Sequence, residues 1–109
     1  MFQVDNFISF HDLTPDAHFL WASSSITHCL GYDPEEIVGV NAYDVIHKDD
    51  IPYVKITHTE SVLNEMVGTQ LLLRIKAKDG HYVPCMVLFS LCYDYFVSCY
   101  TVIEDGPSK

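Results

Sequence analysis

Positive charge is what this sequence has least of. Six Lys and Arg stand against fifteen Asp and Glu, a formal net charge of −9, and three of the six (Arg74, Lys76 and Lys78) share one short segment. So acidic a chain repels phosphate backbones, which argues against direct nucleic-acid binding. No apolar run approaches the ~20 residues of a bilayer span. Met1-Phe2-Gln3-Val4-Asp5 lacks the basic and apolar regions of a signal peptide, so an intracellular protein, cytoplasmic or nuclear, is expected. None of Cys29, Cys85, Cys92 and Cys99 forms a CxxC pair. The spacing of seven between the last three fits neither zinc ligation nor a disulfide framework. Reduced, mostly buried thiols and no metal are expected.

Catalytic patterns are also missing. No Gly-x-Ser-x-Gly elbow surrounds Ser24 and Ser25 beside His28. Ser23 to Ser25 read as helix caps. Asp49 and Asp50 are adjacent, so they do not face each other across a site, and they too read as caps. With no phosphate-cradling glycine loop, no catalytic residue is assigned and an enzyme is not expected.

What is present is a core. At 109 residues, with 49% hydrophobic and 19% charged residues, the chain reads as one globular domain over 1–109 with its core at about 7–104, cut from a longer protein. Phe7–Asp12 and Phe19–Ala22 read as strands. Ile26–Leu30 is a short helix closed by Gly31. Asp33-Pro34-Glu35-Glu36 starts another, with Asp33 as cap, Pro34 at the first position and Glu36 three residues on. A further short helix follows from Asn41 to about Ile46. A longer one runs from Ile51 to Met66, where Ile51, Val54, His58, Val62 and Met66 share a face that Lys55 interrupts. Three strands complete the chain.

Thr69 to Lys78 alternates, with Leu71, Leu73, Ile75 and Ala77 on one side. Asp79-Gly80 predicts a two-residue hairpin turn. That turn sets Ala77 opposite Tyr82, Ile75 opposite Pro84, Leu73 opposite Met86 and Leu71 opposite Leu88, eight residues forming the inner face. Val83, Cys85, Val87, Phe89 and Leu91 then form an apolar outer face. An outer sheet face bare to water is normally polar, so these five are the expected interface residues. Met1 to Asn6 folding over them is the simpler alternative.

The order strand, strand, short helices, longer helix, three-stranded meander resembles a PAS domain. Trp21-Ala22-Ser23-Ser24-Ser25-Ile26, Leu30-Gly31-Tyr32 and Pro34-Glu35-Glu36-Ile37-Val38-Gly39 resemble its N-terminal half. Val45-Ile46-His47-Lys48-Asp49-Asp50 resembles its hPdD stretch, and Arg74-Ile75-Lys76-Ala77-Lys78-Asp79-Gly80 its R-x-x-x-K-D-G hairpin. Within the family the likeness is greatest to fungal white-collar-type regulators. The resemblance implies an α+β PAS fold: a five-stranded antiparallel sheet with several short helices and one longer helix on one face. It also implies a sensing and interaction module that dimerises, with itself or another PAS domain, and relays signals in a regulatory protein, such as one controlling transcription.

The flavin-binding branch carries Asn-Cys-Arg-Phe-Leu-Gln after a Gly. Here the stretch is Gly39-Val40-Asn41-Ala42-Tyr43-Asp44. Ala42 replaces the thiol, which excludes a flavin photoadduct. No cofactor is expected, but haem or an unidentified small ligand stays open. His58 is the candidate ligand residue, and a core histidine is the simpler account. Tyr43, Val54, His58, Val62, Leu73, Ile75, Met86 and Leu88 would line such a pocket. His11, His18, His28, His47 and His81 read as loop or surface residues.

Overall fold

Alternation in five segments becomes one antiparallel sheet. The computed structural model describes residues 5–64 and 68–103, and the side chains of these apart from 61–64. Strands β1 (Asn6–Asp12), β2 (Phe19–Ala22), β3 (Thr69–Lys76), β4 (Tyr82–Cys92) and β5 (Tyr95–Val102) lie in the order β2-β1-β5-β4-β3. Between β2 and β3 run helices α1 (Ile26–Leu30), α2 (Pro34–Ile37) and α3 (Ile51–Asn64), with a 3-10 turn at Ala42–Asp44. Ile26, Leu30, Ile37 and Val54 from the helices meet Phe7, Leu73, Ile75, Val87 and Tyr100 from one sheet face in a single core. This is the expected α+β PAS architecture.

The local chemistry is legible. Glu36 closes a capping box with Asp33, accepting from the Asp33 N–H at 2.7 Å, and Pro34 starts α2. Asn41 accepts from the Tyr43 N–H at 2.9 Å, but this cap starts only a single 3-10 turn and not a helix reaching Ile46. Ser25 occupies the α1 N-cap position without a side-chain bond to the helix. The hydroxyl of Ser23 instead accepts from the Ile8 N–H. Met66 and the other end residues expected on α3, and the Met1 to Val4 part of the N-terminal cover, lie outside the described residues.

The β3–β4 turn corrects the expected register. The Ala77 N–H donates to His81 O at 2.8 Å, the Gly80 N–H donates to Ala77 O at 2.9 Å, and Gly80 sits at φ +99. The loop therefore has three residues, Lys78 to Gly80, ending in a left-handed glycine. One extra loop residue shifts the pairing by one, which turns every β4 side chain over. Ile75 faces Val83, Leu73 faces Cys85 and Leu71 faces Val87. Val83, Cys85 and Val87 are buried, so three of the five expected interface residues are core, and Phe89 and Leu91 on the same side are half-buried. Tyr82, Pro84, Met86 and Leu88 move to the outer face.

The helical connector is stapled to β3. Asp50 accepts from the Arg74 guanidinium at 2.7 and 3.1 Å and from the Arg74 N–H at 2.9 Å, so its carboxylate clamps the strand and does not cap α3. The His47 N–H donates to Arg74 O, and the Lys76 N–H to Val45 O. Lys78 pairs with Glu36 at 2.9 Å, and the Tyr32 hydroxyl donates to Lys76 O. At the other edge the Phe19 N–H donates to Val40 O and the Gly39 N–H to Phe19 O. Both edge strands are thus engaged by the connector, which blunts strand addition there.

An alanine at Gly80 must adopt the left-handed conformation, which costs about 1–2 kcal/mol. Gly80→Ala is expected to lower the unfolding free energy by that amount, read as a lower urea midpoint with an unchanged slope. A wild-type midpoint would mean that the turn takes another form.

Candidate functional site

Two surfaces stand out, one inside the fold and one on the sheet. The interior holds a cavity of about 40 Å³ between α3, the connector and the inner sheet face. Tyr43, Val54, His58, Leu73 and Ile75 line it as expected. Met86 and Leu88 do not, because the register places them on the opposite face. The side chain of Val62 lies outside those described. Ala42 also lines the cavity, so the flavin-branch cysteine position has no thiol to offer.

Most of the wall is apolar, and its polar part comes from residues with no obvious motif. Ser9 Oγ lies 2.6 Å from His11 Nε2 and 2.9 Å from the Tyr100 hydroxyl, and His11 Nδ1 lies 2.9 Å from Ala17 O. A neutral imidazole meets that carbonyl by donating from Nδ1, which leaves Nε2 to accept. His58 Nε2 is buried at the cavity without a partner, and the buried Ser98 hydroxyl has only the Tyr100 hydroxyl beside it. Burial lowers His58 below its usual range. Its ring lies 4.7 Å from that of Phe96.

His11 was expected at the surface and is buried. Strand alternation places it with Phe7 and Ser9, all three facing inward, while Ile8 and Phe10 face out. The inward face of β1 is thus the more polar one, the reverse of the usual pattern. Alternation alone points to the wrong face here. A better signal is the match of Ser9 to Ser98 and Phe7 to Tyr100 across β5.

The outer sheet face is the second surface. Pairing sets Trp21, Phe10, Val97 and Ser90 in one row, and Ile8, Cys99, Leu88 and Gln70 in the next. Asn6, Thr101, Met86 and Leu72 form a third. Trp21 is 45% exposed, Leu72 62% and Leu88 41%. Phe10 holds the Trp21 and Tyr95 rings at 4.9 and 5.4 Å. Of the earlier interface candidates, Phe89 packs on the core and Leu91 pairs with Phe96 on the inward side. Cys29 and Cys92 are half-buried, Cys85 is buried and Cys99 is exposed on the outer face, all four as free thiols. No group of metal-ligating side chains occurs among the described residues.

Residues 19–94 match the family model described as PAS fold. Hypoxia-inducible factor 1-alpha of Gallus gallus is 35% identical over 77 residues, 71% of this chain and 9% of its own length. Basic helix-loop-helix ARNT-like protein 1 of Tyto alba is 27% identical over 98 residues, 84% of this chain and 16% of its own length. The chain therefore spans only a small part of these curated relatives. Among solved structures, a variant of Drosophila melanogaster Cycle PAS-B with bound glycerol superposes with a TM-score of 0.81 at 23% identity, covering 89% of this chain and 99% of that one. The wild-type Cycle PAS-B with bound ethylene glycol gives 0.79 at the same identity and coverage. At this identity the likeness shows the fold alone.

Burial pushes the His11 imidazole down to about 4, against the Ala17 carbonyl bond and the Asp12 carboxylate, which favour the charged form; the His58 ring adds to the lowering. The unfolded chain takes up this proton near pH 6.5 and the fold does not. Stability from this group is therefore complete above pH 6.5 and is lost as pH falls through about 4, by about 3 kcal/mol in all. Thermal melts between pH 7 and 4.5 should show this slope, and His11→Phe should flatten it. An equal slope in that variant would assign the loss to other groups.

Proposed function

Because the chain belongs to the PAS family, we propose that it is a regulatory interaction module that dimerises with a second PAS domain through the outer face of its sheet. The carrying observation is that face: three rows with Trp21, Ile8, Leu72 and Leu88 open to solvent and Met86 half-buried among them. Large exposed apolar patches mark interaction sites. The connector bonds the Phe19 end of β2 and the Arg74 to Lys76 end of β3, so each edge is partly covered while the face is open. The relatives support a part in transcription control, in the nucleus or the cytoplasm. No helix among the described residues is long and apolar enough to cross a membrane. The finer likeness to fungal white-collar-type regulators gains no support from these relatives, which are animal proteins. We place the chain with the ARNT-like and hypoxia-inducible proteins. Their kind, as regulators and not enzymes, agrees with a non-catalytic role.

The second reading is a small-molecule sensor. It rests on the partnerless His58 Nε2 at the cavity. A cavity of about 40 Å³ is far below the several hundred Å³ of pockets for large ligands. That disfavours haem and favours a ligand of a few heavy atoms.

Sedimentation equilibrium tests the leading reading, with the chain alone and with an added PAS domain of an ARNT-like protein. Leu72→Glu with Leu88→Glu should weaken association at least tenfold, about 1.4 kcal/mol, while leaving the circular dichroism unchanged. Unaltered association would place the interface elsewhere. Val87→Glu should instead unfold the domain, because it buries an unpaired charge.

A further inference from the structure

Beside the interior cavity, on the surface, lies a cleft of about 280 Å³. Asp16 from the β1–β2 loop, Asn41 from the 3-10 turn's cap, and Lys55 and Thr59 from α3 form its rim. Tyr43 and His58 line both the cleft and the cavity. The two spaces are therefore separated by these two side chains. Both are held by ring contacts, His58 against Phe96 at 4.7 Å. Tyr43 is half-buried, with Lys55 Nζ 5.3 Å above its ring. That is a contact between an exposed cation and a ring, of the weaker kind. His58 Nε2 has no hydrogen bond to hold the imidazole.

We infer that this cleft is the entrance to the interior cavity, that Tyr43 and His58 are its gate, and that it admits a small neutral polyol. The inference rests on the sensor reading of the cavity. The polyol class follows from the walls. No Asp, Glu, Lys or Arg lines the cavity among the described residues, so a charged ligand would lie there unpaired. Ser98 is 1% exposed with only the Tyr100 hydroxyl beside its own, and His58 Nε2 lacks a partner. The spare capacity of the Ser98 hydroxyl on β5 and the unmet nitrogen on α3 suit a molecule with two hydroxyls. About 40 Å³ of free space takes roughly three water-sized groups, which fits a two- or three-carbon diol. The rim carries one charge of each sign, Asp16 and Lys55, so it gives no net pull on ions.

A gate and a wall leave different kinetic marks. A rim residue that touches only the cleft changes the height of the barrier, so entry and exit rates move together and Kd stays. A residue inside the cavity changes Kd. Lys55 and Thr59 are exposed and touch only the cleft. Ser98 touches only the cavity.

The experiment is a nuclear magnetic resonance titration of the chain with ethane-1,2-diol, with exchange rates from relaxation dispersion. Saturable shifts are expected at the Ser98 and Tyr100 amides. Ser98→Ala should weaken binding by about tenfold. Thr59→Trp, whose indole would fill the cleft, should slow entry and exit together by about tenfold at constant Kd. Lys55→Met, which frees the Tyr43 ring, should speed both. Saturable binding with rates untouched by Thr59→Trp and Lys55→Met would overturn the gate while leaving the sensor reading intact. Shifts that stay linear in diol and spread over the surface would overturn both.

Discussion

Three residues join β3 to β4, and the last of them, Gly80, sits at φ +99. This small constraint decides which β4 side chains are inside. Ile75 meets Val83, and Leu73 meets Cys85, so Val83, Cys85 and Val87 complete the core. Tyr82, Pro84, Met86 and Leu88 go to the other face by the same step. A two-residue loop would exchange these sets. The core would then hold Pro84 and Met86, and the outer surface would carry Cys85 and Val87. Both the cavity wall and the docking face depend on this one turn.

The connector depends on the same hairpin. Asp50 reaches back to Arg74, Glu36 to Lys78, and Tyr32 to the Lys76 carbonyl. Each of these belongs to a stretch by which the family resemblance is read. The stretches matter physically because they are the two halves of joints, one on the connector and one on β3 or its loop. The Asp50 joint is the stronger, since Asp50 is the more buried carboxylate and is bonded to a guanidinium and a backbone N–H at once. The exposed Lys78–Glu36 pair adds little by itself. Together they close α1 to α3 over the inner sheet face and cover the Arg74 to Lys76 end of β3's edge.

Local signals carried much of this fold. Asp33, Pro34 and Glu36 start α2 as their spacing implies, and Gly31 ends α1 at φ +88. Val54 and His58 on α3 reach the cavity as their shared face implies. What the sequence hid has two causes. From Tyr82 to Phe89 both sides of β4 are apolar, so alternation has no preferred phase and the turn length decides. In β1 the polar Ser9 and His11 are the inward residues because Tyr100, Ala17 and each other meet their hydrogen bonds. A partner supplied by a strand some ninety residues away (Ser9 to Tyr100, |i−j| 91) leaves no local mark. The Asp50 clamp is hidden for the same reason, since its partner lies 24 positions on.

The interior and the outer face serve different ends on one sheet. The interior is small, with His11, His58, Ser98 and Tyr100 among the polar residues of its wall, while the outer face is broad, largely apolar and free of the connector. The exposed thiol of Cys99 lies within that outer face, between Ile8 and Leu88, whereas burial pushes the Cys85 thiol up to about 12 and keeps it unreactive. Cys99 is therefore a native reporter of docking. The most direct measurement is its alkylation rate, read by peptide mass across the concentration range in which the chain associates, with itself or with an added PAS domain. Docking through the outer face predicts that Cys99 becomes protected in proportion to the associated fraction. An alkylation rate that stays constant while association proceeds would contradict it.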